Sequence, residues 1–307
     1  MIVLVGPTAS GKTDLAAALA SELQGEIVSA DSRQVYRLLD AGTAKPSAAQ
    51  RERAKHWLLD CADPTETFDA ARWAKEAAVI IAAIRARGRI PIVCGGTGLY
   101  VRALLEGLSP LPPRNEAVRS RLAAQAESIG KAALHARLAA ADPAAAAGIP
   151  PENIQRVTRA LEVLELTGRP ISEHWSKGRS AGLSADLILR LDMTAAASRE
   201  RIEKRALSLW PGLLAEIRAL VPARFIGDEP GFTSLGYREA LACAQGKLSE
   251  GEGLAGMIRS TVAYAKRQRT WFRNQLSSTP LDTGLDASSL LSCALRAWEE
   301  SREKTAA

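Results

Sequence analysis

The residues best suited to chemistry lie in a glycine-rich segment near the start of the chain, residues 6–13 (GPTASGKT). This segment matches the pattern G-x-x-x-x-G-K-[ST], in which backbone N–H groups and a helix N-terminus surround a phosphate. In such a loop Lys12 neutralises the terminal phosphates and the Thr13 hydroxyl binds Mg²⁺. The alternative is a chance glycine turn before a helix. The candidate phosphate ligands are Gly6, Thr8, Ala9, Ser10, Gly11, Lys12 and Thr13.

The segments that flank this loop supply the elements that must position it. Residues 1–5 form a short apolar run that predicts a buried strand, and Leu15, Leu19 and Leu23 recur every four residues, as on a helix. A strand, a loop and a helix in this order are the context in which the motif binds phosphates. The motif does not say what is done with them.

A second strand is predicted over residues 26–30, and it ends at Asp31. Because ligands bind at the carboxyl ends of parallel strands, Asp31 is predicted to face the ligand of the phosphate loop. The alternative is that Asp31 caps the N-terminus of a following helix, since Asp-Ser is a common capping sequence.

A third strand, predicted over residues 90–94, runs into the sequence GGTG at 95–98. Nucleotide hydrolases with a phosphate loop usually place an aspartate at the end of such a strand, where it holds the water shell of Mg²⁺. Here two glycines and Thr97 offer backbone atoms and a hydroxyl, but no carboxylate. A plain strand-to-helix turn would explain the same residues.

Composition indicates an ordinary globular chain of 307 residues, 47% hydrophobic and 24% charged. The net charge of +6 is compatible with a nucleic-acid partner without requiring one. The four cysteines are far apart and form no C-x-x-C pair, so neither a zinc site nor a disulfide framework is predicted, and a cytoplasmic location is expected. We recognise no signal peptide and no apolar run of membrane-spanning length.

A purely helical segment interrupts the α/β pattern. It follows a proline-rich linker at residues 109–113, and the strand pattern resumes at residues 187–191. We therefore predict a catalytic core built from residues 1–113 and 186–307, with a helical insertion domain at 114–185. The arginines of the insertion suit either RNA contact or a solvated face.

Positive charge is also clustered on two helices of the core. On a helix predicted over residues 198–208, Arg201 and Arg205 lie one turn apart, so they either clamp an anion or are simply solvated.

The helix predicted from about 252 to 276, the last long helix expected, carries basic residues interleaved with Tyr264, Trp271 and Phe272. No acidic residue occurs between positions 253 and 281. Such a helix suits RNA phosphates and unpaired bases, and the alternative is an amphipathic helix with its aromatic residues in the core.

Taken together and in this order, the motifs resemble the tRNA dimethylallyltransferase family in its bacterial form. Besides residues 6–13, the resemblance rests on the segments 29–36 (SADSRQVY), 42–46 (GTAKP), 95–100 (GGTGLY), 106–108 (EGL), 235–238 (LGYR) and 265–271 (AKRQRTW). It implies an α/β fold with a P-loop NTPase-like parallel sheet flanked by helices and an all-helical insertion domain. Leu38 departs from the pattern, because the family has glycine there.

The resemblance also implies a reaction, in which a dimethylallyl group moves from dimethylallyl diphosphate to N6 of the adenosine 3′ to a tRNA anticodon. Mg²⁺ is the expected cofactor, the anticodon stem-loop is the expected partner, and the enzyme is expected to be a monomer. Asp31 would accept the N6 proton, Thr97 would lie beside the target base, and Arg205 would bind the diphosphate. The implied tRNA-binding residues are Asp31, Ser32, Arg33, Gln34, Thr97, Arg119, Gln155, Arg156, Val157, Thr158, Arg159, Arg238, Lys266, Arg267, Gln268, Arg269, Trp271 and Arg273.

Three other classes share part of this pattern. A small-molecule or nucleoside monophosphate kinase would have the phosphate loop and Asp31, but would not need the basic helix near the C-terminus. An adenylate isopentenyltransferase would share nearly all the site residues, without the basic surfaces that a polymer requires. A purely RNA-binding protein would not need the threonine of the phosphate loop.

Overall fold

The computed structural model describes residues 1–221 and 223–306 and divides the chain into two compact units. The first, which we call the core unit, consists of Met1–Leu105 and Leu183–Ala307. The second, the helical unit, consists of Glu106–Gly182. Both ends of the helical unit connect to the core unit, so it is an insertion in the chain.

A six-stranded, entirely parallel sheet forms the centre of the core unit, in the order β3-β2-β4-β1-β5-β6. The predicted parallel sheet is thus confirmed, although the sequence did not indicate the two-residue strand β3 or the edge strand β6. The strands are β1 Ile2–Val5, β2 Gly25–Ser29, β3 His56–Trp57, β4 Ile90–Gly95, β5 Leu187–Asp192 and β6 Thr279–Asp282.

The strand register brings the ends of the central strands to one edge. Val5 pairs with Gly95, and Ser29 pairs with Cys94, so β1, β2 and β4 end at the same level. All four residues of β1 are buried, as expected of a central strand covered on both faces. The segments that follow these three strands are therefore neighbours in space.

Thirteen α-helices and one 3₁₀ helix (Pro230–Thr233) accompany the sheet in the described part of the chain. None of the helices within 1–221 and 223–306 combines the length and apolarity that crossing a membrane requires. The α-helices are α1 Lys12–Glu22, α2 Ala48–Arg53, α3 Ala70–Ala86, α4 Gly98–Glu106, α5 Glu116–Ile129, α6 Lys131–Ala141, α7 Pro143–Ala147, α8 Ile154–Thr167, α9 Ile171–Ser176, α10 Ala195–Leu220, α11 Tyr237–Ala244, α12 Glu250–Gln275 and α13 Ala287–Ala306.

Two helices of the core unit differ from the sequence prediction. Helix α10 continues through Pro211, well past residue 208, because Leu213, Leu214 and Ile217 beyond the proline are buried. That burial outweighs the backbone hydrogen bond that proline removes. Helix α12 is not the last long helix, since α13 follows it and packs into the main core.

The helical unit has its own apolar core, to which Leu122, Leu134, Leu138 and Leu161 contribute fully or almost fully buried side chains. Its boundaries differ from the predicted 114–185, because the proline-rich segment belongs to the unit. Leu111 packs against this core, the Pro112 carbonyl accepts a hydrogen bond from Arg159 at 2.6 Å, and the Pro110 carbonyl lies 3.2 Å from His174 Nδ1.

Candidate active site

A cavity of about 800 Å³ opens at the carboxyl edge of the sheet in the core unit. The phosphate loop and the N-terminal end of α1 form one wall, and Asp31 and residues of the 42–46 loop form another. Residues of α10 and α12 complete the lining, among them Arg205 and Tyr264. Thus five segments that the sequence singled out separately meet at one cavity.

The phosphate loop has the geometry of an anion-binding loop. Gly11 (φ 88°) and Ala9 (φ 61°) adopt left-handed conformations, which turn successive N–H groups toward the concave side. The Ser10 hydroxyl oxygen is buried without a hydrogen-bond partner among the described residues, so a phosphate oxygen could satisfy it.

Lys12 lies over this loop, and its Nζ donates a hydrogen bond to the Pro7 carbonyl at 2.6 Å. Burial lowers the pKa of Lys12 from 10.5 to about 8, and the nearby Arg205 guanidinium acts in the same direction. A bound anion would reverse this shift, because it favours the charged amine.

Arg205 and Arg201 have different surroundings. Arg205 lines the cavity and is half-buried; desolvation lowers its pKa, while the carboxylate of Asp31 opposes that shift. Arg201 also borders the cavity, but its Nη2 donates to the Thr283 carbonyl at 2.8 Å. Of the pair, Arg205 therefore has its charge in the region of Lys12 and Asp31, as a diphosphate ligand requires.

Asp31 lies two residues after the end of β2 and lines the cavity. Its Oδ1 accepts a hydrogen bond from the Arg33 N–H at 2.9 Å, which closes a turn. No helix begins at this point, so the alternative that Asp31 caps a helix is wrong. A carboxylate near a strand end, close enough to Lys12 and Arg205 to feel their charges, is a group that can accept a proton or hold charge.

Thr97 ties the end of β4 to the segment after β2. Its Oγ1 accepts a hydrogen bond from the Ser32 N–H at 2.9 Å, and its own N–H donates to the Ala30 carbonyl at 3.1 Å. A Cβ on Gly95 would overlap the backbone of Ala30, so glycine is needed where hydrolases carry an aspartate. Thr97 and Asp31 are thus fixed to each other through main-chain atoms.

Two of the residues after Asp31 hold neighbouring loops in place. Arg33 donates from Nη1 to the Thr233 hydroxyl at 2.7 Å. Gln34 donates to the Ala44 carbonyl at 3.1 Å and so supports the loop at 42–46. These contacts occupy both side chains in the free protein, and their contact with tRNA stays a prediction.

Helix α12 carries the predicted RNA-binding residues on different faces. Lys266 and Arg267 are exposed, whereas Arg269 donates to the Ser198 hydroxyl at 2.9 Å, and Arg273 pairs with Asp192 at 3.5 Å.

The aromatic residues near the end of α12 pack inward to different degrees. Trp271 is half-buried and covers Gly98, where a Cβ would collide with its ring, and Phe272 is buried. The alternative that the aromatic residues of this helix pack in the core thus holds for Phe272 and for much of the Trp271 ring. Outside α12, Arg238 is exposed in the first turn of α11.

Gln268 is turned away from solvent. It is 7% exposed, its Oε1 accepts from the Thr8 N–H at 2.8 Å, and its Nε2 donates to the Gly96 carbonyl at 2.8 Å. The side chain predicted to contact tRNA therefore has both its polar atoms engaged within the core unit. The sequence held no local signal for this inward orientation.

In the helical unit the predicted tRNA-binding residues divide into three groups. Val157 and Thr158 are buried, so their side chains are not available to RNA in this structure. Arg119 and Arg159 pair with the fully buried Glu162 at 3.5 and 2.9 Å. Gln155 and Arg156 are exposed on α8, the same helix.

Sequence analysis missed several residues that line the cavity. Lys204, Thr233 and Thr261 all border it, yet none belongs to a recognisable motif. Tyr264 was noted only as one of the aromatic residues among basic ones, whereas here it faces the cavity. Tyr264 lies one helical turn before Gln268, so the two residues share the inward face of α12.

Comparison with known proteins agrees with this geometry. Residues 34–275 match the family model described as IPP transferase. The chain is 46% identical to the tRNA dimethylallyltransferase of Sorangium cellulosum (strain So ce56), over 90% of this chain and 88% of that protein. It is 49% identical to the enzyme of the same name from Anaeromyxobacter sp. (strain K), over 90% of each chain.

Solved structures agree as well. The full-length tRNA isopentenylpyrophosphate transferase of Bacillus halodurans superposes with a TM-score of 0.71 and 35% identity, covering 100% of this chain and 99% of that one. A eukaryotic dimethylallyltransferase acting on tRNA gives a TM-score of 0.75 and 27% identity, covering 92% of this chain and 73% of that chain. The sequence, the fold and the cavity thus converge, and this chain belongs to the tRNA dimethylallyltransferase family.

Proposed function

We propose that this protein transfers a dimethylallyl group from dimethylallyl diphosphate to N6 of the adenosine 3′ to the anticodon of tRNA and releases diphosphate. The observation that carries the proposal is that a phosphate loop, an arginine and a carboxylate near a strand end line the same cavity. In the reaction, the N6 nitrogen forms a bond to the allylic carbon while the bond from that carbon to the diphosphate oxygen breaks. The N6 proton then passes to a base.

The leaving diphosphate gains charge as its bond to carbon breaks, so groups that bind this charge lower the barrier. Lys12, Arg205 and the N–H groups of the phosphate loop are available for this role. The lysine and arginine line the cavity and are half-buried, so water screens their charges less than at an open surface. Dimethylallyl diphosphate, which ends in a diphosphate, would thus occupy the place of a nucleotide's phosphates.

Mg²⁺ fits this arrangement as a partner of the diphosphate. No cluster of three or more His, Cys, Asp or Glu side chains is suited to a metal among residues 1–221 and 223–306. Mg²⁺ needs no such cluster, since it commonly uses one or two protein ligands together with phosphate oxygens and water. Thr13 lines the cavity and is the residue that would hold it. When bound, the ion would neutralise charge on the departing diphosphate.

Asp31 is proposed as the base that takes the N6 proton. The exocyclic amine is a weak nucleophile because its lone pair is delocalised into the ring, so removal of its proton during bond formation assists the attack. Thr97 holds the main chain beside Asp31 and is proposed to lie next to the target base. The base is part of a stem-loop and has to leave its stack to reach the cavity.

The exposed basic residues are proposed to bind the RNA. Lys266 and Arg267 on α12 and Arg156 on α8 are exposed, and their charges can neutralise phosphates. A free nucleotide would not require these surfaces. This difference favours tRNA over AMP or ATP as the acceptor.

The proposal is tested by incubating the protein and Mg²⁺ with isotopically labelled dimethylallyl diphosphate and one acceptor at a time: unmodified tRNA, AMP or ATP. Label in tRNA alone is expected. Label in AMP or ATP would instead indicate an adenylate isopentenyltransferase, and phosphate transfer to a metabolite without prenyl transfer would indicate a kinase. Size-exclusion chromatography of the same sample tests the predicted monomer.

A further inference from the structure

The side-chain amide of Gln268 joins two parts of the candidate active site that are far apart in sequence. Its Oε1 accepts a hydrogen bond from the Thr8 N–H, and its Nε2 donates one to the Gly96 carbonyl, both at 2.8 Å. The residue is 7% exposed, so water competes weakly for these groups. Both partners are backbone atoms, so Gln268 restrains the main chain of the phosphate loop at Thr8 and of the turn after β4 at Gly96.

On the first side, Gln268 supports the phosphate loop. Thr8 precedes Ala9, whose φ of 61° is unfavourable for a residue with a Cβ. Such a conformation persists only when its surroundings hold it in place. The hydrogen bond to the Thr8 N–H lies one residue before the strained position and restrains the loop before an anion arrives.

On the second side, Gln268 supports the turn after β4. A Cβ on Gly96 would overlap Nε2 of Gln268, so the glycine leaves room for the amide. The next residue, Thr97, accepts the hydrogen bond from the Ser32 N–H. Trp271, on the same helix, packs against Gly98, where a Cβ would collide with its ring. Helix α12 therefore contacts the residues on both sides of Thr97.

From these contacts we propose that Gln268 is a positioning residue for the diphosphate, and that it is not a ligand of the RNA. It links the phosphate loop to the turn that holds Thr97, so the diphosphate and the target base are placed relative to each other by one side chain. The identity of the diphosphate rests on the proposed function. The positioning role itself requires only that an anion binds the phosphate loop.

The test compares Gln268→Met, which keeps the length of the side chain but loses both hydrogen bonds, with Lys266→Ala on the exposed face of α12. Titration calorimetry with inorganic diphosphate and Mg²⁺ is expected to show affinity about tenfold weaker for Gln268→Met, as the loss of a restraining hydrogen bond suggests. Its affinity for tRNA is expected to match the wild type. Lys266→Ala should show the reverse pattern, with weaker tRNA binding and unchanged diphosphate binding.

Steady-state kinetics give a second readout, in which Gln268→Met should raise KM for dimethylallyl diphosphate and leave KM for tRNA unchanged. Should Gln268→Met fail to fold, Gly96→Ala provides another route, because the added Cβ displaces Nε2 and should weaken diphosphate binding in the same way. Wild-type diphosphate affinity together with weakened tRNA binding in Gln268→Met would overturn the inference. A wild-type protein that does not prenylate tRNA would overturn the proposed function alone, since diphosphate binding is measured separately.

Discussion

At the scale of single residues, the role of Asp31 is the most direct consequence of the cavity. Its Oδ1 accepts the Arg33 N–H, so Asp31→Asn can keep that hydrogen bond while losing the ability to take a proton. We expect this variant to transfer the prenyl group about a hundredfold to ten-thousandfold more slowly, the usual contribution of a general base. Single-turnover transfer of labelled prenyl groups measures the rate, and a filter-binding assay should show tRNA still bound. A rate close to that of the wild type would exclude Asp31 as the base.

Lys12 makes donor binding depend on pH. Burial lowers its pKa to about 8, so the amine loses its proton in the free protein as pH rises through that value. The bound diphosphate favours the charged amine and raises the pKa, so binding takes up a proton. Well above pH 8, the Kd for dimethylallyl diphosphate should rise by about tenfold per pH unit.

Calorimetry across this pH range, in buffers of different ionisation enthalpy, measures both the Kd and the proton uptake. Lys12→Met provides the control, since it should bind the donor weakly and show no uptake. A Kd that does not change on passing through pH 8 in the wild type would contradict this account of Lys12.

Leu38 shows how one residue can depart from a family pattern at a structural cost. The family resemblance implies glycine at this position, and the φ of Leu38 is 67°, a conformation that glycine adopts without strain. We expect Leu38→Gly to raise the free energy of unfolding by about 0.5–1 kcal/mol, because relief of strain exceeds the added entropy of the unfolded chain. Thermal unfolding measures the change, and Leu38→Ala, which retains the strained backbone, should not be stabilised.

At the scale of elements, the sequence predicts best where the signal is local. The phosphate loop, its strand and α1 follow from a continuous motif. Asp31 follows from the rule that ligands bind at strand ends, whereas Thr97 is assigned through the family resemblance. The inward orientation of Gln268 depends on packing against Thr8, which lies 260 residues away in the chain, so no local pattern reveals it. Strand β3 has only two residues, too few to show a periodicity.

Neighbouring residues that the family resemblance groups together as tRNA-binding differ in burial. Val157 and Thr158 adjoin the exposed Arg156 on α8, yet both are buried because successive residues on a helix point in different directions. A family motif shows which positions belong to a site, but it does not show which of their side chains are buried and which are exposed. The structure assigns that face.

The junction between β2 and β4 gives a prediction for an element. In Gly95→Ala, the new Cβ would overlap the Ala30 backbone, so the two strand ends must separate and Asp31 must move with them. We expect a loss of stability of about 1–3 kcal/mol, typical of overpacking, and a lower rate of transfer. Gly251→Ala on α12 is the matched control, because its Cβ meets open space and helix propensity favours alanine by up to about 1 kcal/mol. Equal stability and rates for the two variants would show that the junction tolerates a side chain.

At the scale of the whole molecule, both units are proposed to bind the same RNA. The salt dependence of tRNA binding can then show which unit contributes phosphate contacts. Each phosphate contact adds to the slope of log K against log salt, so Lys266→Ala in the core unit and Arg156→Ala in the helical unit should each reduce the slope by about one. The double variant should lose about the sum of the two if the two contacts are independent, because independent contacts add. Lys75, an exposed lysine on α3 without a proposed RNA contact, provides the control substitution to alanine, which should leave the slope unchanged.

Binding of tRNA measured over a series of salt concentrations gives these slopes. An unchanged slope for Arg156→Ala, with the expected change for Lys266→Ala, would show that the exposed face of α8 does not contact phosphates and that RNA binding depends on the core unit.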